Sequence, residues 1–398
     1  MTIAANERFS YFRLYFIILL FSCNSKNKIK NYNQIIDNSF LTKNQAHQIK
    51  KKLYKKYSSK LMVNRLQEMR DRRIKINGKE MKFDLKFFGK KPISGWNLYF
   101  HLHGGGEVPD SINEKEWIRN QTLHKVKDGI ILIPRSPTNT WNMWHQAHID
   151  SFLNRLIQNM IAFHDVNPNR IYLMGRSAGG DGVYQLSPRM ADRFAATAMM
   201  AGHPNETSPL GLRNIGFTIH MGEKDSAYNR NKVAVEWRNK LQSLRRKDPE
   251  GYEHWVELYK NKGHWVERLD SVAVGWITRF TRNPFPKKIV WKQDDVIHER
   301  FYWLRVKTPI KGSLIIASID GQTINIEKTT LSEITIMLND DMINMDREII
   351  VKYMGNEIFN STVPRDINII EKSIKEYGDP QSVYFSEILL SLDKFKSR

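Results

Sequence analysis

This 398-residue chain has one cysteine, Cys23, so an intrachain disulfide is excluded. It has no long apolar run. Residues 14–21 form the longest candidate, too short to cross a bilayer as a helix. Acidic residues are scarce relative to basic ones, 42 against 62, for a formal net charge of +20. That surplus invites a nucleic-acid reading. No zinc-ligand spacing, recognition helix or aromatic RNA-binding signature accompanies it, and a nucleic-acid partner is disfavoured. No internal repeat is found. A hydrophobic content of 41% suits a packed globular chain and argues against disorder.

The N-terminal 22 residues read as a secretory signal: Arg8 and Arg13 precede the short apolar run, and Ser22-Cys23 follows it. Leu20-Phe21-Ser22-Cys23 resembles a bacterial lipobox. On that reading Cys23 is lipidated and anchors an exported protein to a membrane without embedding it, the alternative being plain secretion. Residues 23–78 read as a polar tether followed by one or two basic helices, rich in lysine at Lys50-Lys51-Lys52 and Lys55-Lys56. This basic stretch suits either a solvated face or contact with anionic lipid headgroups.

From residue 79 to 284 strands and helices alternate. Strands are expected at 81–88, 98–102, 129–133, 171–174, 195–200, 217–221 and 255–259. Apolar stripes at helical spacing run through 149–161, 233–244 and 265–280. The pattern predicts an α/β fold with a mostly parallel sheet flanked by helices. Beyond Pro284-Phe285-Pro286 the chain reads as strands, at 301–306, 314–317, 323–326, 334–338 and 349–353. Asp320-Gly321 and Met354-Gly355-Asn356 look like hairpin turns. A small antiparallel β-sandwich-like domain is expected over 285–368 and a helical tail over 369–398, with a last helix near 382–395. That domain either binds substrate or docks on the core.

Gly175-Arg176-Ser177-Ala178-Gly179 stands between a strand and a helix. Glycines flank the serine because a tight strand-to-helix turn leaves no room for Cβ atoms, and the turn lifts the hydroxyl towards a substrate. Upstream, a strand runs into His103-Gly104-Gly105-Gly106, a loop whose backbone N–H groups at Gly104 and Gly105 suit an oxyanion hole together with that of Ala178. Asp225 follows another strand and His264 a third. The order serine, acid, histidine is that of a triad in which His264 takes the Ser177 proton and Asp225 orients the imidazole. Glu223 is a rival acid; His145, His203, His220 and His254 are rival bases. This chemistry requires no metal or other cofactor. A metal site at His101 and His103 is a distant alternative, lacking a carboxylate cluster.

On these motifs the chain resembles the α/β-hydrolase superfamily, in particular secreted bacterial esterases of the polyhydroxybutyrate-depolymerase and feruloyl-esterase-like kind. The resemblance covers residues 80–282 and implies carboxylic-ester hydrolysis through Ser177, Asp225 and His264, on a small-molecule or polymeric ester. A serine peptidase of prolyl-oligopeptidase type and a non-catalytic binding protein on the same fold are the alternatives. Arg176 departs from the usual elbow residue and is expected either to line the pocket or to face solvent. Trp141 and Trp144 are candidates for a stacking wall or for packing under the next helix, and His203 for the pocket. Asp181 reads as a hydrogen-bonding helix residue, not a catalyst.

Overall fold

A computed structural model describes residues 41–396. Cys23 and the signal-like segment lie outside the described residues. The first element is one helix, α1 (Lys43–Asp71), begun by a capping box in which Thr42 and Gln45 satisfy each other's backbone N–H groups. It is polar nearly all round, and it packs on the rest of the fold through Ala46, Leu61 and a few long side chains. Arg65 donates to Gln158 and Asn159, which ties the helix down by hydrogen bonds as well.

The chain then enters the central sheet: β1 (Arg73–Ile76), β2 (Lys79–Phe88), β3 (Trp96–Leu102), α2 (Asp110–Leu123), β4 (Gly129–Pro134), α3 (Ala147–His164), β5 (Val166–Arg176), α4 (Ala178–Arg189), β6 (Ala196–Met200), β7 (Gly216–Gly222), α5 (Arg230–Lys247), β8 (His254–Tyr259) and α6 (Val272–Ile277). The strand order is β1-β2-β4-β3-β5-β6-β7-β8. Pairings β1–β2 and β2–β4 are antiparallel and the rest parallel. This is the mostly parallel, helix-flanked sheet that the sequence implied. Strand β4, Gly-Ile-Ile-Leu-Ile-Pro, is buried at every position because helices cover both faces of the sheet. On α3 the stripe from Ile149 to Ile161 is buried as its spacing predicts.

The third stripe, 265–280, is not one helix. Glu267 and Arg268 take positive φ angles of 55° and 65°, a short 3-10 turn follows, and α6 is only six residues long. Trp265 leaves the helical register to lie between the guanidiniums of Arg119 and Arg176, 4.4 and 4.5 Å from its ring centroid.

The C-terminal region has two sheets. Strands β9 (Lys288–Lys292), β12 (Leu314–Asp320), β13 (Thr323–Thr329), β15 (Ile349–Tyr353) and β16 (Asn356–Ser361) form the first, in the order β16-β15-β13-β12-β9; β10 (Arg300–Phe301), β11 (Leu304–Arg305), β14 (Glu333–Leu338) and β17 (Ser386–Ser391) form the second. All pairings are antiparallel except β13–β15. After β13 the chain crosses to the second sheet as β14 and returns as β15, and such a crossover permits a parallel neighbour. The strand expected at 301–306 is split into β10 and β11, because Tyr302 turns the chain at φ 51° and sends its hydroxyl to the Ala191 carbonyl of the core, 3.0 Å away. The expected tail helix at 382–395 is a correction. The helix, α7 (Ile367–Tyr377), comes earlier, and 386–391 is the edge strand β17, with Ile388 and Leu390 buried and their neighbours facing outward. Pairing with β14 overrides the local helical spacing.

Candidate active site

Ser177 occupies the turn between β5 and α4, at φ 58° and ψ −127°, a conformation a non-glycine residue adopts only when its surroundings force it. The surroundings are crowded. A Cβ on Gly179 would come within 2.2 Å of the Leu102 carbonyl oxygen, and one on Gly175 within 2.3 Å of the Gly179 oxygen. The Ser177 N–H donates to the Met200 carbonyl on β6, which pins the turn to the sheet.

Two loops at the carboxyl ends of β7 and β8 bring up the acid and the imidazole. Lys224 N–H donates to the Lys262 carbonyl, and Asn261 N–H to the Glu223 carboxylate, so the two loops are knitted together. His264 Nδ1 lies 2.7 Å from Asp225 Oδ2, and its Nε2 lies 3.0 Å from Ser177 Oγ. With Nδ1–H donated to the carboxylate, Nε2 is left to accept the serine proton. Asp225 is 3% exposed, and Arg230 stands 3.6 Å from its other oxygen. The rival groups are engaged elsewhere. Glu223 braces the histidine loop, His220 is bonded between Thr218 and Tyr259, and His254 bonds the Tyr252 carbonyl at the start of β8. His145 is buried in edge-to-face contact with Trp141, its ring centroid 5.5 Å from the indole.

The glycine loop is held from three directions. His103 is fully buried, and desolvation holds its imidazole down at about 3, hence neutral. Its Nδ1–H donates to the Gly104 carbonyl at 2.7 Å, and its Nε2 accepts the Ser136 N–H at 3.0 Å. Both ring nitrogens are thereby used, which corrects the metal-ligand alternative for this residue. Trp144 Nε1–H donates to the His103 carbonyl. Asn113, buried on α2, accepts from Gly106 N–H and donates to the Gly106 and Val108 carbonyls. Gly105 sits at φ 112°, and a Cβ there would meet Asn113 Oδ1 at 2.2 Å. Among the described residues no acceptor is paired with the N–H of Gly104, Gly105 or Ala178.

These groups open onto a cavity of about 450 Å³. Trp141 lines it, as do His203 and Gly105. Trp144 does not: it is fully buried beneath the loop, so the stacking-wall option fails for it and the packing option holds. Arg176 neither lines the cavity nor faces solvent. It is 8% exposed, and its guanidinium donates to the His264 carbonyl at 2.5 Å and lies against Trp265. Sequence reasoning missed Asn113, Ser136, Tyr228 and Arg230. Asn113 lies in the first turn of α2, and nothing local marks an asparagine there as one that reaches back to a glycine loop. Asp181 also lines the cavity and accepts the His203 N–H at 2.6 Å; burial pushes its carboxyl up to about 6.

No protein-family model matches this sequence, and no curated protein matches it. Solved structures similar to it include a thermostable esterase at 19% identity, with 53% of this chain and 62% of that one covered and a TM-score of 0.40. A ferulic acid esterase is similar at 14% identity, over 52% of this chain and 95% of that one, with a TM-score of 0.37. An IroE-like serine hydrolase from Shewanella oneidensis is similar at 13%, over 52% and 78%, with a TM-score of 0.39.

The arrangement can polarise one hydroxyl. A buried carboxylate, a histidine in line and a serine at a strained turn form a continuous hydrogen-bonded chain, with uncommitted backbone N–H groups beside the hydroxyl. The four features come from β3, β5, β7 and β8, all at their carboxyl ends.

Proposed function

We propose that this protein is a serine hydrolase that cleaves a carboxylic ester through an acyl-Ser177 intermediate. The observation that carries the reading is the line Asp225–His264–Ser177, at 2.7 and 3.0 Å. His264 Nε2 takes the hydroxyl proton as Oγ attacks the ester carbonyl, and the imidazolium is stabilised by Asp225. The carbonyl oxygen becomes an oxyanion held by the N–H groups of Ala178 and of Gly104 or Gly105, worth roughly 3 kcal/mol per donor. Collapse of the tetrahedral intermediate breaks the ester C–O bond, and His264 returns its proton to the leaving alcohol. Water, deprotonated by the same imidazole, then releases the acid and restores Ser177. Neutral His103 and Asn113 act as positioning residues for the glycine loop, and Arg176 for the His264 backbone.

Trp141, Tyr228 and His203 line the acyl or alcohol subsite of the cavity. The export reading is kept as a proposal: Cys23, behind the apolar run 14–21, is lipidated and holds the protein at a membrane. Release of a Cys23→Ala variant into the soluble fraction is the expected result.

A fluorophosphonate probe should label the wild type and leave Ser177→Ala unlabelled, and p-nitrophenyl esters should be turned over while peptide substrates are not. Labelling that persists in Ser177→Ala would overturn the assignment of the nucleophile; turnover of peptides in preference to esters would overturn the substrate class.

A further inference from the structure

A second cavity, of about 250 Å³, lies where the hydrolase core meets the C-terminal sheets, and it is lined by arginines. Arg189 ends α4, Arg193 follows it, Arg300 belongs to β10 and Arg305 to β11, so four cations from two structural regions converge on one space. Arg189 and Arg193 are 3% and 2% exposed. Their charges are only partly answered. Asp150 accepts two bonds from Arg189 and one from His298, and Asp379 lies 2.6 Å from Arg282 but 3.9 Å from Arg193. Arg305 is paired with Glu376 and Glu387. Arg300 makes no ion pair among the described residues. It donates to the Ser382 carbonyl and lies 3.6 Å from the centroid of the Tyr377 ring, on which Arg193 also stacks at 4.3 Å.

Among the described residues, four buried guanidinium nitrogens of these arginines have no hydrogen-bond partner: Arg189 Nη1, Arg193 Nε and Nη1, and Arg300 Nη1. Leaving charged donors desolvated and unpaired is costly, and crowding like charges adds to the cost. An oxyanion in the cavity answers the crowding of guanidinium groups, whose forks match carboxylate and phosphate geometry. Of the acids on the cavity wall, Glu299 is exposed. Asp192 is buried without a guanidinium at ion-pair distance; desolvation raises its carboxyl above the usual range, against the pull of Arg193 and Arg300. Burial likewise pulls Arg193 down to about 10, with Asp379 and Asp192 pulling the other way.

We propose that this cavity binds a small oxyanion, a phosphate or a carboxylate-bearing molecule of comparable size, which joins the hydrolase core to the C-terminal sheets. The site is separate from Ser177 and does not depend on the hydrolase reading.

Calorimetric titration of the full chain, in its Ser177→Ala form so that hydrolysis plays no part, tests it with inorganic phosphate, with succinate, and with chloride at matched ionic strength. Saturable one-to-one binding of phosphate or succinate, with a melting temperature that rises with ligand while chloride leaves it unchanged, is the expected result. Phosphate binding without succinate binding assigns a phosphoryl group, and the reverse a carboxylate. Arg300→Met should weaken binding at least tenfold, and Arg300→Lys, which keeps the charge and loses the fork, should fall between. Either of two results would overturn the proposal: no saturable binding of any oxyanion by the parent chain, or equal affinity in a folded Arg300→Met.

Discussion

Replacing Asp181 by asparagine should stabilise this protein above neutral pH, although it removes a charge next to an arginine. Asp181 lies one turn into α4 beyond Ser177 and accepts the His203 N–H. Burial raises its carboxyl from 3.8 to about 6, against the opposing pull of that N–H and of Arg230. In the unfolded chain the group ionises near 3.8, so between pH 3.8 and 6 the native state binds more protons than the unfolded one. Stability therefore falls as pH rises through that window. A shift of this size corresponds to about 3 kcal/mol, fully present as a penalty above pH 6 and absent below 3.8. Asparagine is neutral throughout and keeps an oxygen for the His203 N–H. Urea denaturation of both proteins at pH 7.5 and at pH 4 isolates the effect, because every other titration cancels in the difference. Asp181→Asn should be the more stable by up to ~3 kcal/mol at pH 7.5, with the gap nearly closed at pH 4. Parallel stabilities at the two pH values, or a less stable variant at pH 7.5, would refute the assignment of a desolvated, raised carboxyl.

The two tryptophans of the loop after β4 should separate cleanly. Trp144→Ala costs about 3–5 kcal/mol in denaturant unfolding because the indole is fully buried; Trp141→Ala leaves stability nearly unchanged and raises KM, its ring being 56% exposed at the cavity. Asn113→Ala frees the Gly106 N–H and two carbonyls, so kcat/KM should fall roughly ten- to hundredfold with kcat carrying most of the loss, read from ester hydrolysis kinetics. Arg189→Met leaves the buried Asp150 with His298 alone, and should cost about 3–5 kcal/mol in thermal or chemical unfolding.

Most of the α/β layer was legible because its signals are local and redundant. Each strand expected between 81 and 259 is found within a few residues, since a parallel sheet covered on both faces demands apolar runs such as Gly129–Pro134. The glycine-flanked serine was legible for a steric reason: only glycine tolerates the approach of Leu102 and Gly179 backbone atoms to that turn. The misreadings share a different cause. Residues 382–395 carry apolar spacing that suits either period, and only the availability of β14 as a partner makes 386–391 a strand. Residues 265–271 leave the α-helix, with Trp265 lying against the guanidiniums of Arg119 and Arg176 instead. Arg176 adjoins Ser177 in sequence and Trp144 follows a strand whose carboxyl end faces the site, yet burial turns both into supports.

The residue types and their order along the chain were enough to determine the layered fold and to single out Ser177, Asp225 and His264, because turn sterics and hydrophobic period act over a few residues. Tertiary structure alone decided that these three stand within hydrogen-bond reach across gaps of 87 and 39 residues, that neutral His103 and buried Asn113 hold the glycine loop, and that arginines from two regions meet in one cavity. Those outcomes depend on which strand ends and helix ends pack together, and no local pattern encodes distances between parts of the chain so far apart.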